Sequence, residues 1–471
     1  MSLPWRPDGT TRLAVLVLLL IPPFMPSASA APPNSGTVME GAKPLAEQEG
    51  GETVLDVEER QPEKPAEAVR RAILVKGFRL GGEPPLPEND LLRLVNGEIG
   101  RELTPGRLDE LADELGKYMQ QKGYLAASAR ISAKKSEDGV VEIVVLPGRY
   151  GKIEIRNHSH IGSDRIEAML FAVKPGMIVT NDALMRALRL ISDLSGADIN
   201  ARLKKEEEAG AGDLFLEIAD DTKAGVQLYT DNWGNHYTGR WEYGSQMLVN
   251  NFSGNGDTLN LGGSTTGQGV NTYAVGYGIP LGYDGIKAEI RHFHADYSVG
   301  KELSFLGARG RADATGAAVS YPFLRGAGAS FYGALGYDVK HMHDDTDSAR
   351  SYSQRTSRLL NLSLSGEFVD PLLGGGMNAF NLTRSWGRLR FKDAGEQALD
   401  EATTRKGGGF CKTVLSYQRQ QFVTKNLICN FNFIGQLADK NLDASEKLSL
   451  GGADGVRAFP QGEPPATKAT S

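Results

Sequence analysis

The sequence has little of what defines several common protein classes. Only two of its 471 residues are cysteines, which is few for an extracytoplasmic protein held together by disulfide bonds. The net charge is −6, so the chain lacks the basic excess that nucleic-acid-binding proteins normally carry. No second long apolar run follows the N-terminus, which excludes a bundle of transmembrane helices. The length leaves room for two or three domains.

The N-terminus has the three-part layout of a secretory signal peptide. Arg6 and Arg12 precede the apolar run 13–21, and the small residues 28–30 are suitable for cleavage. Nine apolar residues are too few to cross a bilayer, which disfavours the alternative of a retained membrane anchor. We therefore predict a signal peptide over residues 1–30 and a mature protein that works outside the cytoplasm.

Glycine and aromatic residues are unevenly distributed along the chain. Residues 1–223 contain 21 of the 57 glycines and 8 aromatic residues, whereas residues 224–471 contain 36 glycines and 28 aromatic residues. A β-barrel with aromatic girdles has this composition, and so does a soluble β-sandwich. Residues 31–70 are rich in Pro, Glu, Ala and Gly without a sustained period, which predicts a flexible leader.

Two consecutive segments, 71–148 and 149–222, predict the same β-α-α-β-β unit. The clearest helix starts at Thr104, a good N-cap, with Pro105 at its first position. This order lacks the parallel crossovers of a catalytic α/β domain. The first unit is predicted to contain strand 72–78, helices 87–95 and 104–122, and strands 126–131 and 140–146. The second is predicted to contain strand 152–156, helices 163–173 and 182–194, and strands 199–205 and 214–219.

From residue 224 onward the apolar residues alternate with polar or small ones. Leu360, Leu362 and Leu364, for example, alternate with Asn361 and Ser363. Strands of about ten such residues are typical of transmembrane β-barrels, whereas a sandwich usually has shorter strands. We count eleven strands, beginning near 224, 239, 257, 271, 286, 313, 329, 357, 376, 409 and 426.

Three local features of this region carry further predictions. The alternation breaks near His292, which indicates a β-bulge there or a misread register. The polar stretches 338–357 and 392–407 are predicted to be outer loops. Cys411 and Cys429 fall on consecutive strands, so a cross-strand disulfide is one interpretation; we favour two unpaired cysteines on an apolar face.

Two segments, together with the order of elements, resemble the two-partner secretion transporters of Gram-negative outer membranes, the haemolysin or adhesin secretion/activation proteins. Residues 231–240, DNWGNHYTGR, are similar to the first barrel hairpin of that family. Residues 442–459, LDASEKLSLGGADGVRAF, are similar to its strand-to-loop signature, which ends in Val-Arg-Gly and Tyr or Phe. The resemblance covers nearly all of residues 70–460. It implies two α+β POTRA (polypeptide-transport-association) repeats followed by an antiparallel transmembrane β-barrel of the BamA-like superfamily.

The resemblance also implies a function. The POTRA units in the periplasm would recognise an unfolded secreted partner, a large exoprotein of the haemolysin or adhesin type, and the barrel would pass it to the cell surface. The leader would be a possible plug segment. Outer-membrane lipid is the other implied partner, and no nucleic acid, nucleotide, metal or cofactor and no enzymatic step is expected. The alternatives are a BamA-type assembly factor, a passive porin, a non-functional truncated barrel, and a soluble periplasmic module made of residues 70–220.

Two sets of site residues follow from the resemblance. The loop residue Arg457 would form an ion pair with a carboxylate of a later strand inside the barrel. Ala458 replaces the glycine of the family; if that position needs a positive φ, the alanine strains the loop by about 1 kcal/mol or more. The barrel-loop motif comprises Gly451, Gly452, Val456, Arg457, Ala458 and Phe459. The substrate-binding set, on the edge strand of the first unit and beside its flanking helix, comprises Tyr124, Ala126, Ala127, Ser128, Ala129, Arg130 and Ile131.

Two further sequence features bear on these expectations. Three His-x-His pairs, at 158/160, 292/294 and 341/343, place two rings on one face of a strand, but we expect no metal site because no second cluster accompanies them. After the predicted barrel region 223–460, the tail 461–471 is polar and contains proline. Because the family barrel has sixteen strands, we expect a barrel that is incomplete here, through truncation or a frameshift.

Overall fold

The structure is a computed structural model that describes residues 33–41, 43, 45, 53–58, 72–132, 139–194, 197–206, 211–220 and 223–448. Four sheets organise these residues. Two small α/β units come first along the chain, and a long antiparallel sheet follows them. No helix among the described residues is long and apolar enough to cross a membrane.

The first unit confirms the predicted β-α-α-β-β order. Its main sheet has the order β3-β6-β5, in which central β6 runs parallel to β3 and antiparallel to β5. Helix α3 begins after Thr104, whose side chain accepts a hydrogen bond from the backbone of Arg107, and its leucine stripe is buried against the sheet. The elements are β2 (Ile73–Leu74), β3 (Gly77–Gly82), α2 (Glu88–Val95), β4 (Glu102–Leu103), α3 (Pro105–Gln121), β5 (Ser128–Ile131) and β6 (Val140–Leu146).

The second unit repeats this order around its own core. Its three strands lie in the order β8-β9-β7, and both helices pack on one face of the sheet, where Leu188 and Ile191 are fully buried. The elements are β7 (Arg149–Asn157), α4 (Ser163–Met169), α5 (Asn181–Ser192), β8 (Asp198–Glu206) and β9 (Ala211–Ala219). Because β6 and β9 are each the third strand and lie in the centre, β5 and β8 occupy equivalent edges of the two units.

The leader contains two elements that the sequence analysis does not anticipate. Helix α1 (Ser35–Glu40) is capped by Asn34, which exchanges hydrogen bonds with Thr37 in a capping box. Strand β1 (Thr53–Glu58) pairs in parallel with β8 and makes the sheet of the second unit four-stranded.

The long sheet contains eleven strands, β10 to β20, each paired antiparallel with the next along the chain, as predicted. Among the described residues β10 and β20 do not pair with each other. The strands are β10 (Ala224–Asp231), β11 (Glu242–Asn250), β12 (Thr258–Thr265), β13 (Val270–Leu281), β14 (Ile286–Ser298), β15 (Ala308–Arg325), β16 (Ala329–Thr346), β17 (Ser351–Asp370), β18 (Gly376–Phe391), β19 (Gly408–Thr424) and β20 (Leu427–Ala438).

The two faces of this sheet differ in chemistry. The outer face carries exposed apolar residues such as Leu362, Trp386 and Phe433. The inner face carries polar and charged residues, among them Lys340, Arg355 and Lys412, which contact the leader or the segment after β20. An apolar outer face and a polar inner face are the pattern of a transmembrane β-barrel.

Two local predictions about the sheet are wrong. Strand β14 pairs without interruption on both sides, and the irregularities lie instead in β15 near Pro322 and in β19 near Phe422. The polar stretch 338–357 is mostly strand, since β16 and β17 extend to either side of a short turn at 347–350. Both errors have one cause: long strands continue beyond the apolar band, where outward side chains are polar. The stretch 392–407 is a loop as predicted, and it contains α6 (Ala394–Ala402).

Candidate functional site

Helix α1 lies against the inner face of the long sheet. The backbone N–H and the hydroxyl of Ser35 both donate to the carboxylate of Asp344 on β16, at 2.7 Å each. Tyr297 on β14 donates to the same carboxylate at 2.6 Å, and the Arg355 guanidinium on β17 lies 2.8 Å from it. Three strands thus hold the first turn of the leader helix through one aspartate.

The segment after β20 returns to the same inner face; we call residues 441–448 the loop stem. Glu446 is fully buried and forms ion pairs with Lys340 on β16 at 2.9 Å and Lys412 on β19 at 2.8 Å. Asp443 is buried and forms ion pairs with Arg355 at 3.1 Å and with Lys406 at 3.6 Å. The loop stem therefore links β16 and β17 to β19, which pairs with neither of them.

The charges of the loop stem stay ionised despite their burial. Burial alone raises the pKa of the Glu446 carboxyl, but Lys340 and Lys412 more than offset this, so its pKa lies below its ordinary value. Burial also raises the pKa of the Asp443 carboxyl, but the nearby cations, chiefly Arg355, more than offset this, so its pKa too lies below its ordinary value. Removing one cation would leave a buried negative charge without its partner, which is strongly destabilising.

Arg355 joins the helix to the loop stem. Its guanidinium contacts Asp344, which holds α1, and Asp443, which belongs to the loop stem, and it also donates to the Ser35 hydroxyl at 3.3 Å. The helix and the loop stem are also in direct contact: a Cβ on Gly36 would lie 2.6 Å from the backbone nitrogen of Ser445, so only glycine fits there. One buried arginine thus connects the leader, the barrel wall and the loop.

After α1 the leader continues across the inner face toward β10, the first strand of the sheet. Lys43 forms an ion pair with Asp231 at the end of β10 and lies 3.8 Å from the ring centroid of Tyr229. The Leu45 side chain packs over Gly262 and Gly276, where an added Cβ would come within 2.9 Å and 3.1 Å of it. The glycines of β12 and β13 therefore make room for the leader.

The second unit is fastened to the turns at one end of the sheet. Arg325 on β15 makes a bidentate ion pair with Asp193 after α5, at 2.7 and 2.9 Å, and both side chains are largely buried. The Lys287 ammonium donates to the Asp193 carbonyl at 2.8 Å. A second, more exposed pair joins Arg186 to Asp284 at 2.8 Å. These contacts fix the direction in which the repeated units meet the barrel.

The predicted substrate edge divides into a buried part and an open part. Ala126 and Ala127 precede β5 and are buried, so the structure does not place their side chains on an accessible surface. Tyr124, which lies within the loop between α3 and β5, is half-buried against the core of the first unit. The strand proper begins at Ser128, and among the described residues it pairs only with β6.

The open edge of β5 presents a defined set of backbone groups. The N–H of Ser132 donates to the carbonyl of Glu142 on β6 at 2.9 Å, and pairing alternates along an antiparallel strand. Arg130 therefore also points its N–H toward β6, whereas Ala129 and Ile131 point theirs away from β6. These outward N–H and C=O groups are available to another extended chain.

The equivalent edge of the second unit is already occupied. Six residues of β1 pair in parallel with β8, from Thr53 opposite Ile199 to Glu58 opposite Lys204. Leu55 and Val57 pack against the core of the second unit. The leader thus provides an example of strand addition to a unit of this fold.

The remaining sequence predictions concern the barrel-loop motif, the cysteines and the histidine pairs. All six barrel-loop residues, Gly451 to Phe459, lie outside the described residues. Within the described part, Cys411 and Cys429 are unpaired, as predicted, and no group of His, Cys, Asp and Glu has the geometry of a metal site. The pairs 292/294 and 341/343 each share one face of their strand, as the spacing predicts.

Comparison with known protein families agrees with this architecture. Residues 210–468 match the family described as haemolysin secretion/activation protein ShlB/FhaC/HecB, and residues 73–148 match the ShlB-type POTRA domain. Since the first match covers more than half of the chain, the protein belongs to the ShlB/FhaC/HecB family. This is a family of outer-membrane transporters, not of enzymes, with the POTRA units in the periplasm.

Individual relatives support the same assignment. The chain is 24% identical over 389 residues to the heme/hemopexin transporter protein HuxB of Haemophilus influenzae, and 21% identical over 382 residues to the outer membrane transporter CdiB of Dickeya dadantii. Each alignment covers 79% of this chain and 66% of the relative, so the chain spans just under two thirds of the length of these proteins.

Two solved structures share the fold. CdiB from Escherichia coli superposes with a TM-score of 0.64 at 19% identity, over 85% of this chain and 75% of that one. CdiB from Acinetobacter baumannii superposes with a TM-score of 0.54 at 18% identity, over 89% and 78%.

Sequence reasoning missed the charged residues that hold these parts together. Asp344, Arg355, Asp443 and Glu446 are separated by up to about a hundred positions, and nothing in their spacing pairs them. One signal was present. Arg355 falls at a position of β17 whose parity places it on the inner face, so a cation facing inward could have been noted.

Proposed function

We propose that this protein exports a large, unfolded partner protein across the outer membrane, as one half of a two-partner secretion pair. The observation that carries the proposal is the open edge of β5 in the first POTRA unit, on a chain whose second unit is fastened to a barrel-type sheet. Backbone hydrogen bonds at such an edge recognise an extended chain with little regard for its side chains, which suits a long and varied substrate.

The proposed substrate-binding set is then smaller than the set predicted from the sequence, because Ala126 and Ala127 are buried and precede the strand. Ser128, Ala129, Arg130 and Ile131 offer the edge, and Tyr124 lies just before it. The parallel β1–β8 pairing supports this mode, because it uses the equivalent edge of a second unit with six consecutive residue pairs. The partner is a haemolysin-type exoprotein in this proposal; the relatives named above point to heme/hemopexin transport or to a CdiB-type system.

Replacing Ala129 by proline should reduce export of the partner by roughly tenfold, because it removes one edge donor and fills the edge with a ring. Arg130 and its bonds to β6 are untouched, so the unit should stay folded. The matched control is Ala129→Ser, which keeps the N–H and should export normally. The measurement is the amount of partner in the medium when both genes are expressed together; equal export by both variants would remove the β5 edge from the mechanism.

The leader is proposed to close the pore at rest. Helix α1, Lys43 and Leu45 contact the inner face on β10, β12, β13, β14, β16 and β17, so this segment occupies the space through which a substrate would pass. Export then requires the leader to leave the inner face. A chain that lacks residues 33–45 should be inserted into the membrane normally, and its ion conductance in a lipid bilayer should be higher than that of the wild-type chain.

The loop residue Arg457 stays a prediction of the family resemblance. Arg457→Ala should abolish export and leave the barrel in outer-membrane fractions, and Arg457→Lys should not rescue it, since lysine cannot make a bidentate pair. Full export by the alanine variant would remove Arg457 from the mechanism. A completely soluble periplasmic pool of the wild-type chain would contradict the pore itself.

A further inference from the structure

The longest strands of the sheet extend beyond what a membrane requires. A strand needs about ten residues to cross the hydrocarbon core, whereas β15, β16, β17, β18 and β19 contain 18, 18, 20, 16 and 17 residues. Their turns at one end lie beside the POTRA unit, as the Arg325–Asp193 pair shows. The opposite ends, which carry the longer loops, therefore extend past the outer leaflet.

The outer face of β17 and β18 changes character along its length. Toward the POTRA end it is mainly apolar: Leu364 lies opposite Leu382 and Leu360 opposite Trp386, with one arginine between these two pairs. Directly beyond Trp386, Arg358 lies opposite Arg388. One further step along the strand, about 6.7 Å, places Arg390 on the same face, opposite Thr356.

A fourth arginine lies just below this group. Arg384 is opposite Leu362 on the same face, and its guanidinium donates to the hydroxyl of Thr413 at 2.6 Å. We call Arg358, Arg384, Arg388 and Arg390 the arginine cluster; all four are exposed. A long arginine side chain at this depth can extend toward the membrane surface.

The arginine cluster lacks the acidic partners that two other outward basic residues have. On the same face of the neighbouring strands, Arg309 pairs with Asp347 at 2.9 Å, and His294 hydrogen-bonds Asp313 at 2.7 Å. No carboxylate among the described residues forms an ion pair with a member of the cluster. Like charges directly opposite each other destabilise a strand pair, so a bound anion would relieve the repulsion between Arg358 and Arg388, and the described residues do not supply one.

We propose that the arginine cluster binds the phosphate groups of an anionic lipid of the outer leaflet, of the lipopolysaccharide type. Arg358, Arg388 and Arg390 would hold the phosphates, because planar guanidinium groups bind phosphate through paired hydrogen bonds. Trp386 and Leu360 lie directly below them, where the acyl chains begin. The proposal rests on the barrel being in the outer membrane, but not on the export of a partner.

The test measures binding of the purified full chain, in mild detergent, to fluorescent bisphosphorylated lipid A. The combined variant Arg358→Gln, Arg388→Gln and Arg390→Gln should bind on the order of 100-fold more weakly, at about fivefold for each charge near a lipid surface. The matched control is Arg309→Gln, an outward arginine that already has acidic partners. It should change the affinity by less than about twofold.

Two further arms decide the source of the anion and guard against misfolding. Wild-type protein should bind dephosphorylated lipid A far more weakly, and millimolar inorganic phosphate should not displace the lipid, since the acyl chains contribute to binding. The combined Arg→Lys variant keeps the charge but loses the paired hydrogen bonds, so its affinity should lie between those of the glutamine variant and the wild type. Heat-modifiable migration on gels checks that each variant is folded.

Equal affinity of wild type and the glutamine variant for lipid A, or equal affinity of wild type for phosphorylated and dephosphorylated lipid, would overturn the proposal. Displacement by inorganic phosphate would also overturn it, in favour of a free-anion site. Export of the partner is measured separately. A chain that binds lipid but exports nothing would contradict the proposed function alone, and one that exports normally without lipid binding would contradict the lipid site alone.

Discussion

Replacing Arg355 by glutamine should release the leader helix from the inner face of the barrel. The substitution leaves Asp344 and Asp443 buried close together without their shared cation, and breaking a buried ion pair in this way costs about 3–5 kcal/mol. If that cost is relieved when helix and loop stem separate, the released state becomes more populated by on the order of 100-fold or more. The ion conductance of the inserted protein should rise accordingly.

Labelling of a cysteine at Met39 measures this release directly. Met39 packs against the inner-face cluster that includes Met342, so its label should react slowly in the wild-type background and quickly when Arg355 is glutamine. Cys411 and Cys429 are replaced by serine beforehand. The control is Arg311→Gln, on the outer face of β15, which should leave the labelling rate unchanged. Equal rates in the Arg355 variant and this control would show that Arg355 does not hold the helix.

Truncating Arg325 to alanine should loosen the second POTRA unit from the barrel. Asp193 would keep its buried carboxylate but lose both guanidinium contacts, at about 3–5 kcal/mol, whereas Arg186→Ala should cost at most about 1 kcal/mol because Asp284 is half exposed. Trypsin should cleave between the unit and β10 much faster in the first variant only. Melting of the unit itself should change little, since its core is separate.

A charge exchange tests whether the pair itself is responsible. The double variant Arg325→Asp with Asp193→Arg should recover part of the resistance to trypsin, while each single exchange places two like charges in contact and should be the most sensitive of all. If the double variant is as sensitive as the singles, the effect of Arg325 comes from its contacts with Ser330 and Tyr332 instead. Export should fall wherever the unit is released.

The sequence predicted the repeated units and all eleven strands because both depend on local periodicity. The leucine stripe of α3 has the period of a helix, and the alternation at 360–364 has the period of a strand, so each can be recognised within a dozen residues. The errors at His292 and at 338–357 share one physical reason. Polarity on the outer face depends on how far a residue lies from the membrane, and a local pattern does not contain that distance.

The leader shows more clearly which parts of the structure a local sequence pattern does not predict. Nothing in residues 31–70 indicates a capped helix against Asp344 or a strand beside β8, because both elements are short and are stabilised by partners far along the chain. The substrate edge was only partly predicted for a similar reason. Alanine at 126 and 127 is compatible with an open strand or with a buried turn. These residues are buried because Ala126 packs in the core of the second unit and Ala127 in the core of the first.

The sequence alone determined the order of the domains and the alternation that makes one face of the long sheet apolar. It also carried the prediction of a secretory signal and the resemblance that led to the family. Tertiary structure alone decided which charges meet. These pairings follow from strand register and from the way the leader and the loop stem fold onto the inner face: Arg355 with Asp344 and Asp443, and Arg325 with Asp193. The same register leaves the arginine cluster without an acidic partner among the described residues. Electrostatic pairing depends on distance in space, and a linear pattern of residues does not encode that distance.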